Sequence, residues 1–189
     1  MTEPTSANAD REVLQMIPKP ATAPEIGPWL WAMEETRRGL LRTVRGLEQD
    51  ALDWRGASGE DNSIGSLLYH IALVELSWLY EDMLLVEPPA DIVALLPHPS
   101  RAPQGGLQHV ESETLAQHLE RLEKARADFM RHLTPMTEAD WHTFREPPDT
   151  DYAVTPAWAV FHLVEHEAGH LFQIREILRR WRAQERAAP

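Results

Sequence analysis

His162-Leu-Val-Glu-His166-Glu-Ala-Gly-His170-Leu-Phe-Gln173 repeats an imidazole every fourth residue and adds an amide three positions beyond the last. On an α-helix, which turns about 100° per residue, these four side chains fall within one stripe. The flanks agree with a helix. Thr155 and Pro156 supply a capping hydroxyl followed by a first-turn proline. Arg175, Arg179, Arg180 and Arg182 put positive charge toward the far end, where the helix dipole is negative. A stripe of imidazoles can hold a metal ion, but adjacent turns of one helix reach only one side of it. A second helix must bring an opposing ligand, and the best candidate is His70 in Ser63-Ile-Gly-Ser-Leu-Leu-Tyr-His70-Ile-Ala.

Working outward, His70 lies among Leu67, Ile71, Val74 and Trp78, an apolar stripe of 3-4 spacing opened by Asn62 or Ser63 as cap and ended by Pro88 and Pro89. An imidazole among core positions needs a partner. An earlier helix is expected from Pro28 through Met33, Leu40, Val44 and Leu47, with Glu34, Glu35, Arg37 and Arg38 as its wet face. A further one starts near Ser112 or Thr114, buries Leu115, Leu119, Leu122 and Phe129, and stops before Pro135. Its His118 and His132 lie off that stripe and are read as solvated. Thr137-Glu-Ala-Asp140 has the form of a capping box for one short turn through Trp141.

No strand pattern competes, so the fold class is all-α, a four-helix bundle with a long crossover between helices 2 and 3. Residues 86–111, with Pro88, Pro89, Pro97, Pro99, Pro103 and Gly105-Gly106, are too many for a turn between antiparallel neighbours. The domain reading is a flexible N-terminal segment 1–24, the bundle over 25–184, and a short tail 185–189. One apolar patch, Val13, Leu14, Met16 and Ile17, is available in the first segment to pack a short turn on the body. Asp53-Trp54 and Asp140-Trp141, each followed by a capped helix with a histidine seven residues past its cap, form a faint internal echo.

A chain of 189 residues can bury roughly 70% of its unfolded surface, so the core needs no staples. The absence of cysteine excludes disulfides, a thiolate metal site and a cysteine nucleophile. A net charge of −12 and the lack of a basic run interleaved with aromatics argue against a nucleic-acid partner. The N-terminus has no basic start followed by an apolar run, and no apolar stretch is long enough to span a bilayer. A cytoplasmic protein acting on a small-molecule substrate, with no membrane partner, is expected.

Imidazole suits zinc, and nickel and iron as well. Either His162 with His166 or His166 with His170 offers two nitrogens one turn apart, while His162 and His170 are about 80° apart on the wheel. Gln173, one turn past His170, tips the choice toward the deeper pair, since a metal-binding histidine usually has a polar partner behind it. Three neutral nitrogens with a position left open is the pattern of a catalytic site, whereas a structural zinc is usually closed by four ligands. His166-Glu167-Ala-Gly-His170 also satisfies the H-E-x-x-H pattern of zinc peptidases. That pattern needs a third ligand downstream, and no histidine follows His170. Glu167 is retained as a candidate proton acceptor beside the metal, against the plain reading of a surface acid.

Together, Asn62-Ser63-Ile-Gly-Ser-Leu-Leu-Tyr-His70-Ile-Ala and His162-Leu-Val-Glu-His166-Glu-Ala-Gly-His170-Leu-Phe-Gln173-Ile resemble the two signature segments of the DinB/YfiT superfamily. The resemblance covers about residues 25 to 184 and implies an up-down-down-up bundle with a three-histidine metal site. It implies His70, His166 and His170 as ligands of a divalent metal, zinc or nickel, with His162 and Gln173 as pocket or supporting groups. It further implies a homodimer and one of two activities: metal-dependent hydrolysis, or transfer of a low-molecular-weight thiol such as mycothiol or bacillithiol. A binding bundle without turnover is the alternative.

Overall fold

The computed structural model describes residues 13–103 and 105–187, and no extended strand occurs among them. Four long helices carry the fold: α1 (Ile26–Val44), α3 (Ile64–Ser77), α5 (Leu115–Leu133) and α7 (Pro156–Ala187). Three short ones, α2 (Gln49–Asp53), α4 (Ala90–Val93) and α6 (Glu138–His142), sit in the connections. α3 continues as π-helical turns over Trp78–Leu84. The boundaries follow local chemistry. Ser63 Oγ caps α3 by accepting from Ser66 N at 3.1 Å, and Thr114 with Gln117 and Thr137 with Asp140 form capping boxes at α5 and α6. Thr155 Oγ1 accepts from Trp158 N at 3.2 Å, ahead of Pro156. α1 stops at Val44, short of Leu47, because Gly46 adopts φ +69° and turns the chain out of the helix.

Contacts between the helices set their directions. Trp29 meets Phe161 near the starts of α1 and α7 (centroids 6.3 Å), and the far end of α1, at Arg42 and Thr43, shares a recess with Leu178 and Arg179. These two helices run parallel. Arg180 of α7 pairs with Asp61 just before α3 (2.5 Å), while Trp78 beyond the end of α3 meets Trp158 in the first turn of α7 (5.5 Å). α3 is therefore antiparallel to α7. Gly65 abuts His118 at the starts of α3 and α5, and Tyr80 donates to Asp128 further along, so α3 and α5 are parallel. The course is up-down-down-up. Parallel neighbours cannot be joined by a tight turn, which is why 85–114 must run back along the bundle.

That crossover overturns one expectation from the sequence. His118 is 1% exposed and His132 is partly buried, not solvated. The crossover covers α5 at His118, while His132 lies against Tyr80. Arg121 donates to Leu95 O (2.7 Å) and to His118 Nδ1 (3.2 Å), and pairs with Glu113 (2.7 Å). At the N-terminal end, residues 1–12 of the expected flexible segment lie outside the described residues. Val13, Leu14 and Ile17 form no turn and are mainly exposed. From Lys19 the chain is tied down, with Lys19 N donating to Gly27 O and Thr22 N to Thr134 O. α7 runs on to Ala187, past residue 184. No described helix is long and apolar enough to cross a membrane.

Candidate metal centre

α3 and α7 present His70, His166 and His170 to the groove between them, each half-buried. His166 Nε2 lies 3.2 Å from His70 Nε2 and 2.9 Å from His170 Nε2, and one ring nitrogen from each of the three falls within 4.8 Å of the others. Nitrogens bound to one tetrahedral ion at the usual zinc–imidazole distance stand about 3.3 Å apart, so the cluster is close to that geometry. His170 Nδ1 donates to Gln173 Oε1 at 2.9 Å, which leaves the Nε2 lone pair directed at its neighbours. Ring nitrogens crowded this way cannot all be satisfied by one another's protons. The donor set fits a divalent cation.

Electrostatics keeps the rings in the ligating form. Burial, followed by His170 and Arg101, pushes His70 down to about 4. Burial, followed by His170, His70 and His162, pushes His166 down to about 3. Burial also lowers His170, with the Gln173 bond opposing. All three are neutral near pH 7, as metal ligands must be.

One turn toward the start of α7, His162 is 6.0 Å from the His166 ring, stacked on Trp158 at 5.2 Å and capped by Trp78 at 5.0 Å. It stands outside the three-nitrogen cluster but forms its upper wall. Its Nδ1 is 4.0 Å from Glu165 Oε2.

Glu167 is placed differently from either sequence reading. It is 3% exposed, and its carboxylate points into the bundle axis, where it meets Arg37 of α1 and Arg126 of α5. Arg37 Nε donates to Glu167 Oε1 (2.6 Å) and Arg126 Nη2 to Glu167 Oε2 (2.7 Å). Both guanidiniums also hold Glu75 of α3, at 2.8 Å and 2.5 Å. Each long helix thus contributes one charge to a neutral buried quartet. Arg37 further donates to Leu122 O and Arg126 to Met33 O, which gives each guanidinium a backbone acceptor as well. Burial raises the Glu75 carboxyl, but Arg126 and Arg37 outweigh it and hold it below its ordinary value. Both Glu167 oxygens are engaged away from the histidines, so the peptidase-like geometry of H-E-x-x-H is not formed. The same quartet corrects the wet face assigned to α1, because Arg37 is 7% exposed.

The quartet was missed because a charge at a core position reads as surface unless its partner is known, and the partners are 38 to 130 residues away. One signal was available: Arg37 lies between Met33 and Leu40, both on the buried side of α1.

No curated protein matches the chain. Among solved structures, YfiT from Bacillus subtilis, described as a probable metal-dependent hydrolase with an unusual four-helix bundle topology, superposes with a TM-score of 0.53 at 19% identity. The alignment covers 81% of this chain and 85% of that one, and at such identity it speaks for the fold. The family model of the DinB superfamily matches residues 32–174, a span that includes His70, the 162–170 repeat and Gln173. By that match, which takes in most of all four long helices, the chain belongs to the DinB superfamily.

Proposed function

We propose that the protein is a metal-dependent hydrolase of small molecules, with His70, His166 and His170 holding a divalent ion, zinc or nickel by the chemistry of the ligands. The observation that carries this reading is the convergence of three neutral imidazole nitrogens from two helices. Membership of the superfamily and the description given to YfiT support it. Such an ion supplies Lewis acidity, and three protein ligands leave coordination room for a reactant.

The chain's own residues divide the remaining work. Gln173 fixes the His170 ring through Nδ1. His162, one turn above the cluster and packed between Trp78 and Trp158, borders the histidines on that side. Glu167 takes no part at the metal; it ties α7 to α1 and α5 through the buried quartet.

The test is a screen of zinc-loaded and nickel-loaded protein on model esters and amides, beside His166→Ala. Turnover that falls about 100-fold or more in the variant is the expected result. Turnover only when a low-molecular-weight thiol such as mycothiol or bacillithiol is supplied replaces hydrolysis by thiol transfer. Stoichiometric metal with no turnover on any arm identifies a binding bundle.

A further inference from the structure

Trp78 and Trp158, which pack on His162, also wall a separate recess of about 510 Å³ together with Phe144, Tyr152, Val154 and Thr155. That volume lies within the roughly 300–1,000 Å³ usual for small-molecule sites. Its aromatic walls are unusually exposed for their size: Phe144 is 69% exposed, Trp158 49% and Tyr152 45%. Isolated exposed rings are ordinary, but three of them lining one concavity beside the half-buried Trp78 are not.

The recess is also built to keep its shape. Tyr152 Oη donates to Asp82 Oδ1 at 2.5 Å, and Asp82 is itself buried, so the ring is pinned across from the π-helical turns that carry Trp78. Arg145 and Val154 exchange backbone hydrogen bonds at 2.7 and 2.8 Å, which fixes the loop bearing Phe144 and Tyr152. Trp78 contacts Tyr152 and Trp158 at centroid distances of 6.2 and 5.5 Å.

A continuous ladder of rings joins this recess to the histidine cluster. Trp158 stacks on His162 with planes 9° apart, His162 adjoins His166, and His166 adjoins His170. From residue 158 to residue 166 the helix rises about 12 Å. A molecule that reacts at the histidines and extends about that far toward the start of α7 reaches the recess with its far end. Tyr152 already satisfies Asp82, and the remaining wall is aromatic or aliphatic apart from Thr155, so the far end must be apolar and is best flat.

We propose that the recess is the specificity site for the substrate's distal group, an aromatic ring or similar flat apolar moiety, separated by a flexible spacer from the polar group that reacts at the histidine cluster. This rests on the hydrolase reading, and the test separates the two. Zinc-loaded protein is titrated calorimetrically with acetohydroxamate and with ω-phenylalkyl hydroxamates of short and long spacer, which share one metal-binding head. The long-spacer probe is expected to bind at least tenfold more tightly than acetohydroxamate and the short-spacer probe little better than it. Phe144→Ser and Trp158→Ala, both at exposed positions, should bring the long-to-acetyl ratio toward one. Saturation-transfer NMR then reads the phenyl protons of the long probe with metal-free protein, where contact that Trp158→Ala abolishes is expected. If zinc and acetohydroxamate fail to bind but this phenyl contact persists and depends on Trp158, the metal reading falls and the apolar site stands. Equal affinity for all spacers, or a gain that survives both substitutions, overturns the proposal. So does a chain dimer that Trp158→Ala dissociates, since the recess would then be covered by a second copy.

Discussion

The residues of the groove and of the axis differ in what their loss should do. His70, His166 and His170 share one cluster, whereas His162 is a ring away and packed between tryptophans. Elemental analysis of protein purified with zinc should find near-stoichiometric metal in His162→Ala and little in His70→Ala, His166→Ala or His170→Ala. Metal kept by His170→Ala and lost by His162→Ala would move the site one turn. Glu167→Ala should behave in the opposite way. Removing one carboxylate from the quartet strands Arg37 and Arg126 in the core, and breaking such a buried pair costs about 3–5 kcal/mol. Chemical denaturation should record that loss, while zinc content under folding conditions stays near wild type. A Glu167→Ala protein of unchanged stability would mean that the axial quartet does not form. The sequence carried the histidines plainly because their spacing is local, but it hid the quartet because its four members come from four helices.

At the scale of elements, the crossover and α5 form a latch around His118. Arg121 donates to His118 Nδ1, Glu113 pairs with Arg121, and Leu95 O accepts from Arg121. Burial chiefly, with Arg121 and His98 adding to it and Glu113 and Asp53 opposing, pushes His118 down to about 4. A histidine whose folded pKa lies below its unfolded value of about 6.5 contributes stability that is present above pH 6.5. As pH falls from 6.5 toward 4, the unfolded chain takes up a proton that the folded one refuses. Stability should then drop by up to about 1.4 kcal/mol per pH unit from this residue. Urea denaturation of metal-free protein across pH 7 to 4 should show a shallower decline in His118→Gln than in wild type, and parallel curves would refute the latch. The helical wheel of α5 identified the face that meets α3, at Leu122 and Phe129. It assigned the opposite face to water because nothing local says that a connection between parallel helices will lie over it.

For the molecule as a whole, the superfamily resemblance and the seven tryptophans make a homodimer our expectation. Trp29 and Trp181 are each partly covered within the chain, by Phe161 and Trp54, and remain half-exposed. Light scattering at micromolar concentration should give twice the single-chain mass of 21.6 kDa, and a single-chain mass would rule the dimer out. Sequence alone determined the four long helices, the caps at Thr137 and Thr155, a choice of two residues for each of the caps at Ser63 and Thr114, the presence of a long crossover, and the histidines that share a stripe. All of these depend on residues within a few positions of one another, where periodicity and hydrogen-bonding chemistry act directly. Only the tertiary structure decided that His118 is enclosed by the crossover, and that Arg37, Glu75, Arg126 and Glu167 neutralise one another on the axis. It also turned Glu167 away from the histidines, toward Arg37 and Arg126. Those outcomes depend on which helices become neighbours, and a charge or ring takes its role from partners that only packing brings within reach.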